Sequence, residues 1–207
     1  MRQELIDMRT QPIDSKVTYR IYGNKRGWVF TPSSFYEVGS QFAVRKALER
    51  LVISGVIRRL SPGLYDYPKK HPVLGDLLPN YAQIGRALAG QGKLRLQPSG
   101  GYAANLLGLS DQVPAKIIFL TDGSSRKVVI GKQEIILKKT TPKNVAASGR
   151  TSGLVIQALR YFGKANVDAE TISKLKKRLS RKDKEQLLKD IACAPAWIGR
   201  LFRNMVN

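Results

Sequence analysis

Apolar positions near the N-terminus predict two short helices followed by a hairpin. The first helix begins at Thr31-Pro32, the order favoured at a helix start, and Gly39-Ser40 ends it and caps the second helix. The second helix has one apolar face at amphipathic spacing, formed by Val44, Ala47, Leu48, Leu51 and Val52. Two apolar-rich strands, Val56–Leu60 and Leu64–Tyr67, then flank the turn sequence Ser61-Pro62-Gly63. This order is typical of a winged helix-turn-helix, which offers a helix to the major groove of DNA and a wing to its backbone.

The remaining pattern predicts a mixed middle region and a helical C-terminal part. A helix over residues 16–22, capped by Asp14 or Ser15, and a short strand over 28–30 are expected before Thr31. Asp122-Gly123 is a favoured hairpin turn and is predicted to join the strands 115–120 and 127–130. The other expected middle elements are helices over 80–89 and 100–107 and strands over 93–97 and 134–138. From Ser152 onward the pattern is helical, with helices expected to begin at 152, 168, 183 or 184, and 196.

These elements predict an α+β protein in three segments. Residues 1–70 form the winged helix-turn-helix and DNA-binding domain, residues 71–145 a mixed α/β core, and residues 146–207 a basic helical module. The proline-bearing stretch 67–72 is predicted to be the linker after the first segment.

Charge strengthens the expectation of a nucleic-acid partner. The chain has 36 Lys and Arg against 15 Asp and Glu, a net charge of +21, and each of the three segments is net positive. Cationic side chains bind duplex DNA by releasing its condensed counterions, so this excess is the expected electrostatic signature of a DNA-binding protein. A generally solubilising surface, or binding to RNA or to a membrane surface, stays open as the alternative.

The chemistry-bearing residues argue against an enzyme. The sequence has one histidine, His71, and one cysteine, Cys193, which are too few for a Cys/His zinc site and offer no paired nucleophile and base. We therefore expect no catalytic residue, no metal site and no cofactor. No apolar run is long enough to span a bilayer, no secretory signal is visible, and a single cysteine fits a reducing compartment, so the cytoplasm is the expected location.

Candidate DNA-contacting residues lie near the start of the second predicted helix. Ser40, Gln41, Arg45 and Lys46 are outside its apolar stripe, at the end where contacts to base edges are usually made. Arg45 suits guanine and Gln41 suits adenine. The alternative is that Ser40 only caps the helix and the others form a solvated face. Glu49 is placed to pair with Arg45 or Lys46, because helix residues three and four apart are neighbours.

Two further pairs of cations are candidates for contacts to phosphate. Arg58 and Arg59 are adjacent on a strand and face opposite ways, so only one of them can point at DNA while the other covers the sheet. Lys25 and Arg26 precede the strand 28–30, and they either hold a backbone phosphate or form an ordinary charged turn.

Several phrases in the same order resemble a known family. The wing RRLSPGLYDYP, the following HPVLG and the stretch QPSGGYAANLLGLSDQVPAKIIFLTDGSSRKVVIG are similar to AbiEi antitoxins of type IV toxin–antitoxin (abortive infection) systems, over roughly residues 15–140. The resemblance implies a winged helix that binds inverted repeats in its own promoter and represses its operon. It also implies a region that counteracts a nucleotidyltransferase toxin encoded next to it, with or without a stable complex.

The helices after Ser152 match the family least. Their cations are the candidates for contact with a partner: Lys174, Lys177, Arg178 and Arg181. The sequence leaves two other functions open. One is a stand-alone winged-helix transcription regulator whose middle region senses a ligand or dimerises, and the other is a nucleic-acid-modifying enzyme or its RNA-binding accessory.

Overall fold

The computed structural model describes residues 12–90, 92 and 94–206. Within them the protein is a mixed α+β chain with eight α-helices and three small sheets, as the sequence predicts at this coarse level. The chain divides into two compact units, residues 1–92 and 93–207. The predicted segment ends at 70 and 145 do not coincide with this division, and the three-segment organisation stays a prediction.

The first unit opens with two helices and a three-stranded antiparallel sheet. In chain order these are α1 (Ile13–Gly23), β1 (Val29–Phe30), a 3-10 turn (Pro32–Phe35), α2 (Gln41–Ile53), β2 (Arg58–Ser61) and β3 (Leu64–Asp66). The strand order is β1-β3-β2, so β3 is central and pairs with both neighbours. Gly63 has a φ of +71°, a conformation that glycine adopts readily, in the turn between β2 and β3.

One apolar cluster holds these elements together. Its buried members are Val17 and Ile21 of α1, Val44, Ala47 and Leu48 of α2, and Phe30, Phe35, Ile57 and Tyr65. Leu51 and Val52 are partly buried against it, so the whole predicted apolar face of α2 packs inward. Burying a side chain of this size contributes about 1.5–3 kcal/mol, and the set is sufficient to fix how α2 is rotated about its axis.

Two predictions about helix starts are wrong. The helix expected from Pro32 is only a single 3-10 turn, and Thr31 does not cap it, because the Thr31 hydroxyl instead lies 2.7 Å from the Ser33 hydroxyl. The first helix begins at Ile13 without a side-chain cap. Asp14 is unavailable as a cap because its carboxylate accepts two hydrogen bonds from Arg50, at 2.7 and 2.6 Å. The cap of α2 is as predicted, since Ser40 Oγ accepts from the Ala43 amide at 3.3 Å.

The first unit continues beyond the predicted linker. Residues 70–76 form a second hairpin, β4 (Lys70–His71) and β5 (Gly75–Asp76), in place of an open linker. His71 Nδ1 accepts from the amides of Val73 and Leu74, both at 3.2 Å, and these bonds shape the hairpin tip. Helix α3 (Tyr81–Ala89) follows, with the predicted start secured by a capping box between Asn80 and Gln83.

The second unit is built on a four-stranded sheet. Its elements are β6 (Leu96–Ser99), α4 (Gly100–Leu106), β7 (Lys116–Thr121), β8 (Arg126–Ile130) and β9 (Gln133–Lys139), and the strand order is β6-β7-β9-β8. Strands β7 and β9 are parallel, while β6–β7 and β8–β9 are antiparallel.

The predicted hairpin across Asp122-Gly123 is therefore wrong. Strands β7 and β8 are not neighbours, because β9 lies between them. Asp122 instead accepts hydrogen bonds from the backbone amide and the Nε of Arg95, at 2.9 and 2.8 Å. The true hairpin joins β8 and β9 and turns at Gly131, whose φ is +59°.

Four helices complete the second unit: α5 (Thr151–Phe162), α6 (Ala169–Arg178), α7 (Arg181–Lys189) and α8 (Ala196–Val206). They share a core with α4, in which Ala103 and Ala104 lie among Val155, Leu159 and Phe202. Helix α6 begins beside the predicted start at Asp168, whose carboxylate caps it by accepting from the Thr171 amide at 2.8 Å. Helix α7 starts before residue 183, because Ser180 and Asp183 form a capping box there. None of the helices described is long and apolar enough to cross a bilayer.

Polar contacts fix the start of α5. The buried carboxylate of Asp190 accepts from the hydroxyl of Ser152, from Arg150 Nε at 3.0 Å and from Gln186 Nε2 at 2.9 Å. Gly153 lies directly against the side chain of Gln97 and the backbone carbonyl of Ala147, with no room for a Cβ.

Candidate nucleic-acid interface

Packing of the first unit determines which face of α2 is exposed. Because Val44, Ala47 and Leu48 are buried in the core, the opposite face points to solvent. Gln41, Arg45 and Lys46 are all exposed on that face or its borders, as the sequence predicts. Ser40 is also exposed, although its hydroxyl is occupied with capping the helix.

The cations of α2 differ in their pairing. Lys46 Nζ lies 3.0 Å from Glu49 Oε2, which resolves the predicted choice of partner for Glu49. Arg45 makes no ion pair with any residue that the structure describes. Among the sequence-predicted cations of α2, Arg45 is therefore the one whose charge is fully available to an anion.

Phe42 is a residue of this surface that sequence reasoning missed. Its side chain is 72% exposed in the first turn of α2, and Lys46 Nζ lies 5.9 Å from its ring. Helical spacing could have indicated its exposure, because Phe42 lies outside the stripe of Val44, Ala47 and Leu48 that faces the core.

The two arginines of β2 have separate roles. Arg58 donates to the buried Asp66 carboxylate at 3.1 and 2.7 Å and to the Leu77 carbonyl at 2.8 Å. Arg59 is exposed and makes no ion pair in the described part of the chain. Opposite orientation was predicted, and the structure shows that Arg58 is the member engaged inside the fold.

The Arg58–Asp66 pair is held in a partly desolvated place. Burial raises the pKa of the Asp66 carboxyl, and the hydrogen bonds from Arg58 only partly offset that rise. The same hydrogen bonds raise the pKa of Arg58, so the guanidinium stays charged. Arg58 thus neutralises a buried carboxylate, which leaves Arg59 as the cation that can face a phosphate.

The pair before β1 is also divided. Arg26 stacks its guanidinium 4.5 Å from the centre of the Tyr67 ring and donates to the Pro68 carbonyl at 3.1 Å. Lys25 is exposed with no ion pair in the described residues, and its φ of +63° places it in a tight turn. Lys25 is thus the freer cation of the two.

The predicted partner-binding cations of the second unit are all exposed, but three are engaged. Lys174 pairs with Glu170 at 2.8 Å, which raises its pKa, and Arg181 pairs with Glu185 at 3.2 Å. Arg178 lies over Gly108. Only Lys177 among these four has no such contact with a described residue.

The described residues contain no cluster of three or more His, Cys, Asp and Glu that would suit a metal ion. A cleft of about 310 Å³ opens in the first unit beside β1 and α3. Its lining residues are Trp28, Val29, Ser34, Gln83, Arg86, Ala87 and Gly90.

A model of a family of unknown function, DUF6088, matches residues 16–187. The chain belongs to the DUF6088 family. The family match begins in α1 and ends in α7, so it includes parts of both compact units. No curated protein matches this DUF6088 member.

Proposed function

We propose that this DUF6088 protein binds duplex DNA through α2 and the β2–β3 hairpin. The observation that carries the proposal is the exposed face of α2, where Arg45 has no ion pair and Gln41 is beside it in the first turns. The N-terminal part of a recognition helix is where side chains reach base edges, and Arg and Gln are the residues suited to guanine and adenine.

The order of elements supports a winged helix-turn-helix. A helix, a short turn of 3-10 helix, the helix α2 and then a hairpin follow one another, and β3 pairs with the short strand β1. In this arrangement α2 is the recognition helix and the β2–β3 hairpin is the wing. Arg59 on the hairpin and Lys25 before β1 then contact backbone phosphates, while Arg58 holds the wing together through Asp66.

Charge supports a polyanionic partner. A net charge of +21 on 207 residues favours binding to nucleic acid, and unpaired cations release counterions when they meet phosphate. We propose that this binding involves no chemistry by the protein itself, no metal and no cofactor, and that it takes place in the cytoplasm.

The biological role that we propose is that of an antitoxin. The phrases similar to AbiEi antitoxins lie in the wing and in the stretch from Gln97 to Gly131, so they fall in both compact units. In this proposal the first unit binds inverted repeats in the protein's own promoter and represses the operon. The second unit, with Lys177 and its neighbouring cations, counteracts a nucleotidyltransferase toxin encoded alongside, and a stable complex with the toxin is not required.

The DNA-binding part is tested with the purified full chain and its own promoter fragment. Fluorescence anisotropy at several salt concentrations is expected to give tight binding that weakens steeply as salt rises. Arg45→Ala is expected to weaken binding, whereas Arg203→Ala is a matched control that removes an exposed cation from the last turn of α8. Failure to bind the promoter at low salt would overturn the proposal.

The antitoxin part is tested in cells. The neighbouring nucleotidyltransferase gene is expressed alone and together with this chain, and growth is followed. Rescue of growth by the intact chain, together with lower transcription from the promoter, is the expected result. Promoter repression without rescue of growth would overturn the antitoxin role and leave a transcription regulator as the function.

A stand-alone winged-helix regulator is the second candidate, and the cleft beside Trp28 and Arg86 favours it. An indole ring, a guanidinium and the amide of Gln83 line an opening of about 310 Å³, which suits a small planar or anionic ligand. A regulator of this kind needs no toxin gene beside it, so the gene neighbourhood and the growth assay separate the two functions.

A further inference from the structure

We infer that Phe42 reads the 5-methyl group of a thymine in the major groove and is a specificity-determining residue of this protein. The inference deepens the proposed function and rests on it, because it names what the exposed face of α2 recognises besides guanine and adenine.

The first step is the exposure of the ring. Phenylalanine is among the residues most often buried, yet Phe42 is 72% exposed in a helix whose other side packs well. An isolated exposed apolar residue needs no explanation in general, but this one lies in the first turn of the proposed recognition helix. That turn is where a residue comes within reach of base edges.

The second step is the position around the helix axis. Successive residues are about 100° apart, so Phe42 and Glu49, seven residues apart, lie on one line. The buried residues Val44, Ala47 and Leu48 lie on the opposite side. Phe42 is thus at the centre of the exposed face, and Arg45 and Lys46 are on its two flanks.

The third step is the chemistry of the partner. Lys46 on one flank is paired with Glu49, whereas Arg45 on the other flank has no ion pair with a described residue. Burying the charge of Arg45 against an apolar protein surface would cost free energy, so this face favours a polyanion. The major groove presents donors and acceptors from every base pair, and among the four ordinary bases only thymine adds an apolar group there, the 5-methyl. When Arg45 contacts a phosphate or a base, the Phe42 ring lies at the depth of the groove, and covering the methyl group removes apolar surface of both from water.

The test compares two versions of the promoter fragment that differ only in that group. In one version every thymine is replaced by deoxyuridine, which keeps base pairing and removes the methyl. The intact protein is expected to bind the deoxyuridine fragment about fourfold more weakly for each methyl group that a Phe42 ring covers. Single replacements then locate the thymine that matters.

Variants assign the preference to the residue. Phe42→Ala is expected to bind the two fragments with nearly equal affinity, and Phe42→Leu to retain part of the preference. Tyr19→Ala is the matched control, because Tyr19 is an aromatic residue of α1 that is 68% exposed, and this variant is expected to keep the full preference. Since Phe42 is exposed, thermal unfolding of its variants is expected to match that of the parent.

The outcomes separate the inference from the function on which it rests. Tight binding that is equal for thymine and deoxyuridine overturns the role of Phe42 and leaves the DNA-binding proposal standing. A full methyl preference in Phe42→Ala does the same. Absence of binding to either fragment at low salt overturns both.

Discussion

Two neighbouring arginines of β2 have different structural roles in this protein. Arg58 and Arg59 differ by one position, so their side chains leave opposite faces of β2. Arg58 meets Asp66, whose side chain is 1% exposed, while Arg59 meets solvent. Removing one partner of a buried ion pair leaves the other as an uncompensated charge, whereas removing an exposed cation costs little stability.

We therefore expect Arg58→Met to destabilise the fold by about 3 kcal/mol at neutral pH, as measured by urea unfolding. Burial already raises the pKa of Asp66, and loss of Arg58 raises it further. A carboxyl whose folded pKa lies above its unfolded value takes up its proton more readily in the folded state. The loss of unfolding free energy in Arg58→Met, relative to the parent, is thus small below about pH 4 and grows as the pH rises through the folded pKa of Asp66.

Arg59→Met is the control for that experiment, with an expected change within about 0.5 kcal/mol. Adding Asp66→Asn to Arg58→Met should restore part of the stability, because the buried charge is then gone. Equal losses for the two arginine variants would show that the contact with Asp66 contributes nothing particular.

The same contrast applies to the proposed DNA contacts of Arg45 and Arg59. Arg45→Ala is expected to cost about 1–3 kcal/mol on the promoter fragment and much less on a random duplex, since a base contact carries sequence information. Arg59→Ala should weaken binding equally on both and reduce the salt slope by about 1. Anisotropy titrations on the two duplexes measure both effects, and equal losses for Arg45→Ala would mean that it contacts only phosphate.

Among the elements, the half-buried carboxylate of Asp122 links the ends of two strands of the four-stranded sheet. Asp122 follows β7 and accepts two hydrogen bonds from Arg95, which precedes β6. These bonds lower the pKa of Asp122 below its ordinary value of 3.8. They therefore hold the ends of the two strands together as long as the carboxylate is ionised.

Asp122→Asn is expected to make the free energy of unfolding less dependent on pH in the acid range. Because the folded pKa is lowered, the contribution of Asp122 is present above about pH 4 and is lost as the pH falls through the folded value. The difference in urea midpoint between the parent and the variant should shrink as the pH is lowered from about 5 to about 2. Asp111→Asn, at an exposed aspartate, is the control and should not change this slope.

Sequence patterns anticipated local features of these elements better than their pairing. The apolar face of α2, the cap at Ser40 and the start of α3 at Asn80 follow from neighbouring residues alone, and the sequence predicted them. Asp122-Gly123 has hairpin composition, yet β7 pairs in parallel with β9 because Ile117 and Phe119 are buried beside Ile135 and Leu137. That choice of partner is made by a distant segment, so no local turn signal could predict it.

The pairing of charges at the candidate site was predicted only in part. Arg45, Lys46, Arg58 and Arg59 look equivalent along the chain, and their difference depends on Glu49 at one turn's distance and on Asp66 across a sheet. The pairing of Lys46 was foreseeable from helix spacing. The sequence predicted that one of Arg58 and Arg59 would face the fold, but not which one.

At the scale of the whole molecule, each unit has its own apolar core. The first unit's core is formed by residues from Val17 to Tyr65, and the second unit's by residues from Ala103 to Met205. We expect a fragment of residues 1–92 to unfold cooperatively when heated, as followed by circular dichroism, and to bind the promoter fragment. Its salt slope should be smaller than that of the full chain, because many cations are absent.

Removal of residues 152–207, in contrast, should leave only the first unit folded. It would expose Ala103, Ala104 and Leu107, which α5 and α8 help to bury, so the remaining second-unit residues should fail to fold. A folded 1–92 fragment that does not bind DNA would contradict the assignment of the DNA-binding surface to the first unit.

The tight approach at Gly153 gives geneticists a way to separate the two proposed activities. An alanine there must push aside Gln97 and the carbonyl of Ala147, and overpacking of this kind costs about 1–3 kcal/mol. If the antitoxin proposal holds, a strain with the Gly153→Ala allele should lose protection from the proposed toxin as the growth temperature rises, while a reporter driven by the promoter stays silent. Such a conditional allele would show in living cells which half of the chain each phenotype requires.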